Sequence, residues 1–447
     1  MAGSRKSPKN NVGLLIQPFQ VLQHHLQRGS RIVVALSGGV DSVVLCDLLR
    51  RYCQRRCCEL RALHINHQIS PNAAQWARFC RALCRAWKIP LTIVKVSVKS
   101  GDSLEASARA ARYRVFAQQH ADCIALAHNR DDQAETLLLQ LLRGAGVRGL
   151  SAMPVTRTEA NVTFLRPLLD VTRDEIEAYA WKHKIEWIED ESNSDIYFDR
   201  NFLRHKILPV LARRYPAYRT TLARAGRNLA ESAQLLDELA AIDLDGTNSE
   251  EGVAVALLSR LGTARAKNAL RYHLRRNGVM VPNAARLEEC VRQALTTRRD
   301  ARLSIDLDGN ELRYFAEKLF IVKKRGKLPV DYQKTWRGET RMRLKELGGT
   351  LTMRCVHGRG ISLAKLDGKS LTVRLRRGGE NLQPDANRPR RSLKNLLQET
   401  RIPPWQRAAM PLLYCGKILI CVPGVGIDAA YQTTRGESGV VPGWEVA

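Results

Sequence analysis

Apolar residues in the first half of the chain recur with two alternating periods. Ile32–Leu36 is an uninterrupted apolar run, which is typical of a strand buried on both faces of a sheet. In Val43–Arg51, which follows, the apolar positions have helical spacing. Since strand and helix patterns continue to alternate in this way, the sequence predicts an α/β domain built on a doubly wound, mostly parallel sheet.

The same alternation predicts further elements up to about residue 210, preceded by an amphipathic helical stripe over Val12–Leu26. The predicted strands are Leu60–Ile65, Leu91–Val98, Cys123–Ala127 and Leu165–Leu169. The predicted helices are Ala73–Trp87, Ser103–Gln119 (capped by Asp102 or Ser103), Asp132–Arg143 and Thr172–His183.

The pattern changes after Pro216, where Tyr218–Leu244 is one long helical stripe. Two more helices are predicted at Ala264–Arg276 and Asn283–Leu295, and Leu303–Val322 has the pattern of a hairpin that turns at Asp308-Gly309-Asn310. The basic segment Lys323–Leu328, ending at Pro329, is interpreted as a linker, and from Arg341 onward the pattern is short strands and one helix. The sequence thus predicts three domains: α/β over 1–216, mainly helical over 217–328, and small α+β over 329–447.

The charge balance narrows the class of partner. Lys and Arg number 72 against 44 Asp and Glu, which gives a formal net charge of +28 and a pI near 10.1. A field of this sign attracts polyanions and speeds their association, so nucleic acid is the expected partner, the alternative being a protein that is merely basic.

No apolar run approaches the roughly 20 residues that span a bilayer. The basic start of the chain, Met1 to Asn11, lacks the features of an export signal. The 11 cysteines are odd in number and include no C-x-x-C pair, which argues against a disulfide framework and a zinc site. We therefore expect a cytoplasmic protein with reduced thiols and no membrane partner.

Candidate chemistry begins in the loop Ser37-Gly38-Gly39-Val40-Asp41-Ser42, between a buried strand and a helix. Two glycines allow close approach of the backbone to an anion, and the helix N-terminus directs N–H groups at it. Asp41 beside a phosphate implies a cation between them, which predicts Mg²⁺. Neither a Walker-type loop nor a G-x-G-x-x-G fingerprint is present here. The alternative is a glycine-rich turn of an ordinary βα unit.

The loop resembles the S-G-G-x-D-S loop of the PP-loop ATP pyrophosphatases, which cleave ATP between the α- and β-phosphates. The rest of the chain is similar to one branch, the tRNA(Ile)-lysidine synthetase family. The matching segments are 64–67 (HINH), 104–113 (LEASARAARY), 131–136 (DDQAET), 141–146 (LLRGAG), 166–169 (RPLL), 187–193 (WIEDESN) and 200–204 (RNFLR). Weaker similarity is seen at 376–380 (RRGGE), 393–397 (LKNLL) and 402–407 (IPPWQR).

The chain departs from the family pattern at two places. Many members have a second histidine where Asn129 stands, and many have Gly-Leu-Arg where this chain has Gln68-Ile69-Ser70. Both departures fall next to the expected nucleotide or metal contacts.

The resemblance implies an ATP- and Mg²⁺-dependent ligase that joins free L-lysine to the wobble cytidine of the CAU anticodon of isoleucine tRNA. The cytidine is adenylated first, AMP and pyrophosphate are released, and codon reading changes from AUG to AUA. A homodimer is compatible with the sequence. The alternatives are a PP-loop tRNA thiolase, which requires reactive or cluster-binding cysteines, a small-molecule synthetase of the NAD type, and a non-catalytic RNA-binding protein.

The residues expected to carry this chemistry fall into two groups. The expected catalytic residues are Asp41 (also the Mg²⁺ ligand), Arg109, Asp132 and Glu135. The expected nucleotide-binding residues are Ser37, Gly38, Gly39, Val40, Asp41, Ser42, His64 and His128.

Each group has a structural alternative. Asp132 and Glu135, three apart on a helix start, could hold the lysine ammonium or act as base, or simply favour the helix dipole. Arg109 and Arg112 could grip a phosphate or form a solvated basic face. His64 and His67 have metal-like spacing without a visible third ligand. The other polar positions, open to substrate contact or a structural cluster, are Glu189, Asp190, Asn193, Arg200, Asn201 and Arg204.

Two later segments have the basic density expected of phosphate contact. Lys365 to Arg407 holds 11 Lys or Arg against 4 acids, and Trp405 within it could stack a base or, as a lone Trp beside two prolines, pack in the core. The second segment is a helix face made of Arg265, Lys267, Arg271, Arg275 and Arg276. By the family resemblance, these later domains grip the tRNA body while the N-terminal domain takes the anticodon.

Overall fold

A computed structural model describes the chain in two compact units, Met1–Leu236 and Asp237–Ala447. The described residues are 16–68, 70–97, 104–159, 162–189, 191, 195–244, 252–296, 303–329, 331–366 and 368–446. The first part of the helical stripe predicted from Val12, the predicted cap at Asp102 or Ser103, and Asp190 and Asn193 lie outside these ranges.

A six-stranded sheet forms the centre of the first unit. Its strands are β1 (Arg31–Ala35), β2 (Glu59–Asn66), β3 (Leu91–Lys95), β4 (Cys123–Ala125), β5 (Thr156–Glu159) and β6 (Val162–Leu165). The order is β3-β2-β1-β4-β6-β5, and all pairs are parallel except β5 with β6. The mostly parallel sheet expected from the sequence is therefore confirmed.

Helices cover both faces of this sheet. They are α1 (Ile16–His25), α2 (Val40–Arg56), α3 (Ala73–Ala86), α4 (Leu104–Ala117), α5 (Arg130–Leu142) and α6 (Arg173–Lys182). Alternate residues of β1 enter different cores: Ile32 and Val34 pack with α2, whereas Val33 packs with Phe116 of α4. Burial on both faces explains why β1 is apolar throughout.

The prediction of a strand at Leu165–Leu169 was wrong in its bounds. The observed strand is β6, which ends at Leu165, and the edge strand β5 had no apolar pattern to reveal it. Arg166-Pro167 interrupts the apolar run, and proline cannot donate to a strand ladder. Buried Leu168 and Leu169 instead pack in a turn before α6.

The strand order creates a switch point at β1. The chain proceeds from β1 to β2 and β3 on one side, then returns to place β4 on the other side of β1. In open α/β sheets, ligands bind outside the carboxyl ends of the strands where the order reverses. The loops that follow β1 and β4 are therefore the walls of the expected ligand crevice.

The remaining helical elements continue from the first unit into the second. They are α7 (Asp199–Phe202), a π-helical turn (Leu203–Ile207), α8 (Leu208–Arg214), α9 (Tyr218–Asp243), α10 (Val255–Arg260), α11 (Gly262–Arg276) and α12 (Ala284–Thr296). Within the described ranges, no helix combines the length and the apolar character needed to cross a membrane.

A four-stranded sheet accompanies α10–α12. Its strands are β7 (Val253–Ala254), β8 (Ser304–Asp306), β9 (Asn310–Phe315) and β10 (Lys318–Lys323). The predicted turn at Asp308-Gly309 joins β8 to β9, but a second turn at Ala316-Glu317 adds β10, so the segment is three strands rather than one hairpin.

The last part of the chain is strand-rich, as expected. It contains β11 (Gln333–Thr335), β12 (Arg341–Leu344), β13 (Gly349–His357), β14 (Ile361–Ser362), β15 (Leu371–Arg374), β16 (Asn381–Leu382), β17 (Arg391–Ser392), α13 (Leu393–Glu399), α14 (Pro404–Arg407), β18 (Leu412–Cys415), β19 (Ile418–Val422), β20 (Gly426–Ile427) and β21 (Ser438–Val446). Two short helices are present where one was expected. Trp405 of α14 packs against Phe315 and Phe320, so it has the packing role.

Candidate active site

The loop after β1 is organised around the buried hydroxyl of Ser42. Its Oγ accepts hydrogen bonds from the backbone N–H groups of Ser37 and Gly38, each at 3.2 Å, and donates to the carbonyl of Gly39 at 2.9 Å. The hydroxyl of Ser37 lies 3.0 Å from it. Ser42 therefore shapes the loop from inside, while the exposed Ser37 is the hydroxyl left at the surface.

Gly38 adopts a conformation that favours glycine. Its φ is +99°, and a Cβ on it would lie 3.1 Å from Cδ1 of Ile188. The carbonyl of Gly38 also accepts the N–H of Ile188 at 2.9 Å. Gly39 has φ −71° and forms the N-cap of α2, so the first N–H groups of this helix, which lack intrahelical acceptors, lie at the crevice.

Asp41 stands in the first turn of α2 and is 23% exposed. Its Oδ2 accepts from Nη1 of Arg173 at 2.5 Å, and its Oδ1 accepts from Nδ2 of Asn129 at 3.0 Å. Burial raises the pKa of Asp41 to about 6, although Arg173 acts in the opposite direction. The Asp132 carboxylate nearby also raises this pKa.

Asn129 joins the loop after β4 to the loop after β1. It caps α5: its Oδ1 accepts the N–H of Asp132 at 3.0 Å, and its own N–H donates to Oδ2 of Asp132 at 2.9 Å. The other end of the amide holds Asp41. Asn129, where many family members have histidine, is therefore buried and connects two expected site residues, Asp41 and Asp132.

Glu135 and Asp132 have different surroundings although they share one face of α5. Glu135 is fully buried, and its two oxygens accept hydrogen bonds of 2.7–2.9 Å from Arg200 and Arg204. Asp132 is 16% exposed and lies 3.5 Å from Arg204 and 3.8 Å from Arg200. Of the two carboxylates, only Asp132 has an oxygen, Oδ1, that accepts no short hydrogen bond.

His64 lies beneath the loop rather than in the open crevice. Its side chain is buried, and its Nδ1 lies 2.9 Å from the carbonyl of Leu36 and 3.6 Å from Sγ of Cys80. Because a carbonyl only accepts, Nδ1 carries the proton, and burial lowers the pKa of the imidazole. His64 is therefore neutral and supports the strand end from which the loop departs.

Two further histidines face the same region. The Nδ1 atoms of His67 and His128 are buried and make no hydrogen bond within the described residues. Burial lowers the pKa of both; Arg112 lowers that of His67 further, while Asp132 partly raises that of His128. A buried polar atom without a partner is costly, so these two nitrogens mark positions where a bound molecule would supply one.

The arginines of α4 lie close to these histidines. Arg109 is exposed, with its guanidinium 4.9 Å from the ring centre of Tyr113, and its charge lowers the pKa of His128. Arg166 is buried and donates to the carbonyl of Pro154, but its Nε has no partner within the described residues. Positive charge therefore surrounds the crevice on the α4 side.

The cysteines nearest the loop are buried and protonated. Burial raises the pKa of Cys80 to about 12 and that of Cys84 to about 11. The described residues contain no group of three or more His, Cys, Asp or Glu placed to hold a metal ion. These two thiols are therefore packing groups, and Cys80 lies next to the loop, since a Cβ on Gly38 would be 3.5 Å from its Sγ.

The structure thus brings together most of the residues singled out from the sequence, and adds one. Asp41, Asp132 and His128 meet at the switch point, whereas Glu135 and His64 lie buried behind them. Arg173, which the sequence did not single out, pairs with Asp41; it follows the cap Thr172 of α6, and no local pattern indicates its reach. Glu189 is exposed.

The predicted basic face on α11 is largely neutralised. Arg265 pairs with Asp243, Lys267 with Glu288 at 3.3 Å, and Arg275 with Asp237 at 2.5 Å. Charge counting from the sequence therefore overstates the positive charge available on this helix.

Family models match three parts of the chain. Residues 14–211 match a family model described as a PP-loop domain, residues 254–320 match the TilS substrate binding domain, and residues 371–444 match the TilS substrate C-terminal domain. Among solved structures, the U34-tRNA thiolase NcsA from Methanococcus maripaludis matches 48% of this chain and 78% of its own, with 19% identity and a TM-score of 0.43.

Curated relatives match over nearly the whole length. The tRNA(Ile)-lysidine synthase of Nitrosomonas europaea is 44% identical over 95% of this chain and 94% of its own. That of Coxiella burnetii is 38% identical over 97% of both chains. The chain belongs to the tRNA(Ile)-lysidine synthase family.

Proposed function

We propose that this chain is an ATP-dependent ligase that joins the side-chain amine of L-lysine to the wobble cytidine of an isoleucine tRNA with a CAU anticodon. The observation that carries this proposal is the pyrophosphate-type loop at the switch point, in a chain whose relatives match from end to end. The ring carbonyl oxygen of cytidine attacks the α-phosphorus of ATP, and pyrophosphate leaves. The lysine amine then attacks the ring carbon, and AMP leaves with the oxygen.

The loop after β1 is suited to the β,γ end of ATP. Gly39 leaves space for phosphate, because a Cβ on it would meet only the Ser37 hydroxyl, at 3.6 Å. The first N–H groups of α2 supply donors that a helix cannot satisfy internally. Arg109 lies on the wall near His128, where it can stabilise charge that develops on the α-phosphate. His128, neutral because of its burial, has an unpaired Nδ1 for the nucleotide.

Mg²⁺ is part of the proposal through Asp41. This carboxylate is partly exposed beside the loop, and each of its oxygens accepts one hydrogen bond and keeps a second lone pair. Mg²⁺ is commonly held by one or two carboxylates together with substrate phosphates, so the donor set fits a cation that arrives with ATP. When bound, Mg²⁺ neutralises phosphate charge.

The attacking amine must lose a proton, because free lysine has a pKa near 10.4. Asp132 lies at the crevice, and its Oδ1 accepts no short hydrogen bond. We assign proton removal and ammonium binding to Asp132. Glu135 acts as a positioning residue, because both of its oxygens are held by Arg200 and Arg204.

The anticodon is expected against the segment that carries Arg200 and Arg204. This segment exposes Tyr197 by 88% and Phe202 by 45%, and unpaired bases stack on aromatic side chains flanked by cations. The domains proposed at 217–328 and 329–447 hold the rest of the tRNA. Cytoplasmic location and a homodimer stay predictions.

A thiolase is the alternative, but the described cysteines do not support it, because those near the loop are buried, protonated and not grouped around a metal position. A small-molecule synthetase gives no reason for a net charge of +28.

The test is incorporation of labelled lysine into purified CAU-anticodon isoleucine tRNA with ATP. Wild-type protein should incorporate label and release AMP, Asp41→Ala should be inactive, and the surface variant Glu231→Ala should match wild type. AMP release that depends on tRNA but occurs without lysine incorporation would overturn the ligase assignment.

A further inference from the structure

A cavity of about 530 Å³ lies in the strand-rich part of the second unit, whereas the loop proposed for ATP belongs to the first. Its walls come from β15, β18 and the turns that follow β15 and β18. The volume is within the roughly 300–1,000 Å³ of small-molecule sites, which is enough for one nucleotide and too little to enclose a base-paired duplex.

The charge of the lining is mainly positive. Arg374, Arg377, Arg390 and Lys417 line the cavity, and the carboxylate among the lining residues is Glu380. Oε1 of Glu380 accepts the backbone N–H groups of Arg377 and Gly378, and Oε2 lies 3.5 Å from Nε of Arg376, so this carboxylate is engaged with the turn that it closes.

Two of the four cations are neutralised and two are not. Arg377 pairs with Asp331 at 2.5 Å, and Arg390 pairs with buried Asp428 at 2.9 Å. Arg374 and Lys417, which line the cavity, have no carboxylate oxygen within 4.0 Å in the described parts of the chain, and Nε of Arg374 is buried without a hydrogen bond. Uncompensated cations that line a cavity attract an anion.

The cavity also offers a flat surface. The guanidinium of Arg374 lies 4.9 Å from the ring centre of Tyr414, and both residues line the cavity. Unpaired bases stack on aromatic rings and on guanidinium planes, whereas paired bases are unavailable for such stacking. Next to this pair, Gly378 and Gly379 both have positive φ, +100° and +80°, and lack side chains that would fill the entrance.

We propose that this cavity binds one unpaired nucleotide of the tRNA, outside the anticodon, with its phosphate near Lys417 and Arg374 and its base against Tyr414. The inference rests on the proposed tRNA substrate: the wobble cytidine must lie at the ATP loop of the first unit to be adenylated, whereas this cavity belongs to the second unit. The two sources are the unpaired 3′ terminus and the loops of the tRNA body.

The experiment measures the Kd of full-length protein for whole tRNA at fixed salt, without ATP or lysine, and separately kcat and KM for lysine incorporation. The variants are Lys417→Glu, Tyr414→Phe and Tyr414→Leu, and Lys345→Glu is the matched charge reversal at an exposed position outside the cavity. Each is compared on whole tRNA, on tRNA trimmed of its unpaired 3′ terminus, and on an isolated anticodon stem-loop.

Lys417→Glu and Tyr414→Leu should raise the Kd and KM for whole tRNA about tenfold with kcat unchanged, whereas Tyr414→Phe should stay near wild type because the ring is kept. The anticodon stem-loop should be unaffected. If trimming the 3′ terminus abolishes the difference between variant and wild type, the nucleotide is at the 3′ terminus; if the difference persists, the nucleotide is in a loop.

Three outcomes would overturn the inference: an equal loss with Lys345→Glu, which indicates a diffuse field; an equal loss on the anticodon stem-loop; or no loss with either cavity variant. Because binding is measured without chemistry, these outcomes are separate from a failure of lysine incorporation by the wild-type protein.

Discussion

Nδ2 of Asn129 donates a hydrogen bond of 3.0 Å to Oδ1 of Asp41, across 88 positions of sequence. The same Asn129 caps α5 through its Oδ1. One amide therefore links the loop after β1 with the helix that carries Asp132, and it fixes the two carboxylates proposed for catalysis relative to each other.

Substitution can separate the roles of the two ends of this amide, the capping oxygen and the nitrogen that donates to Asp41. Asn129→Ser keeps an N-cap acceptor but loses the donor to Asp41, so we expect unchanged thermal stability and a fall in kcat of about tenfold. Asn129→Ala loses the cap as well and should cost about 1 kcal/mol of unfolding free energy. Steady-state kinetics and denaturant unfolding measure the two effects. Wild-type kcat in Asn129→Ser would show that the link to Asp41 has no catalytic role.

Substitution of Glu135 should mainly lower stability, whereas substitution of Asp132 should mainly lower kcat. Glu135→Gln leaves Arg200 and Arg204 without their buried counter-charge. Since both arginines are about one-third exposed, we expect the free energy of unfolding to fall by about 2–3 kcal/mol, near the low end for the loss of a buried ion pair. Asp132→Asn should lower kcat strongly with a smaller change in stability. Adding Arg204→Gln to Glu135→Gln should recover part of the stability. A stable Glu135→Gln protein with low kcat would instead make Glu135 a catalytic group.

Adjacent glycines of the loop should respond differently to alanine. Gly38→Ala places a Cβ 3.1 Å from Ile188 at φ +99°, which should cost about 1–2 kcal/mol and weaken ATP binding. At Gly39 the nearest atom to a new Cβ is the Ser37 hydroxyl at 3.6 Å, so Gly39→Ala should fold normally and raise only the KM for ATP. The control is Gly146→Ala, where a Cβ meets nothing within 4 Å. If Gly39→Ala binds ATP normally, the phosphate does not lie against this backbone.

His273 should make the protein sensitive to acid. It is buried on α11, and burial lowers its pKa from 6.5 to about 4. The unfolded chain binds the proton more readily than the folded chain does. The free energy of unfolding is therefore unaffected by His273 above pH 6.5, and it decreases by about 3 kcal/mol as the pH falls towards 4. His273→Gln should flatten the fall between those pH values. Thermal midpoints measured from pH 7 to pH 4.5 test this, and parallel curves for the two proteins would contradict it.

The sequence by itself determined the fold class, the loop and its placement. Strand and helix patterns depend on spacings of a few residues, and a glycine-rich loop between a buried strand and a helix is fixed by its neighbours. The predictions failed where the local sequence pattern is weak. The exposed edge strand β5 was not predicted, and the strand before Pro167 was predicted too late in the chain.

The tertiary structure decided which charges meet. Lys and Arg number 72, and nothing local indicates that Arg173 reaches Asp41 over 132 positions, or that Arg200 and Arg204 enclose Glu135. It also decided that Lys417 and Arg374 line one cavity. Coulomb interactions depend on distance and burial in three dimensions, and for residues far apart in sequence both quantities exist only once the chain has folded.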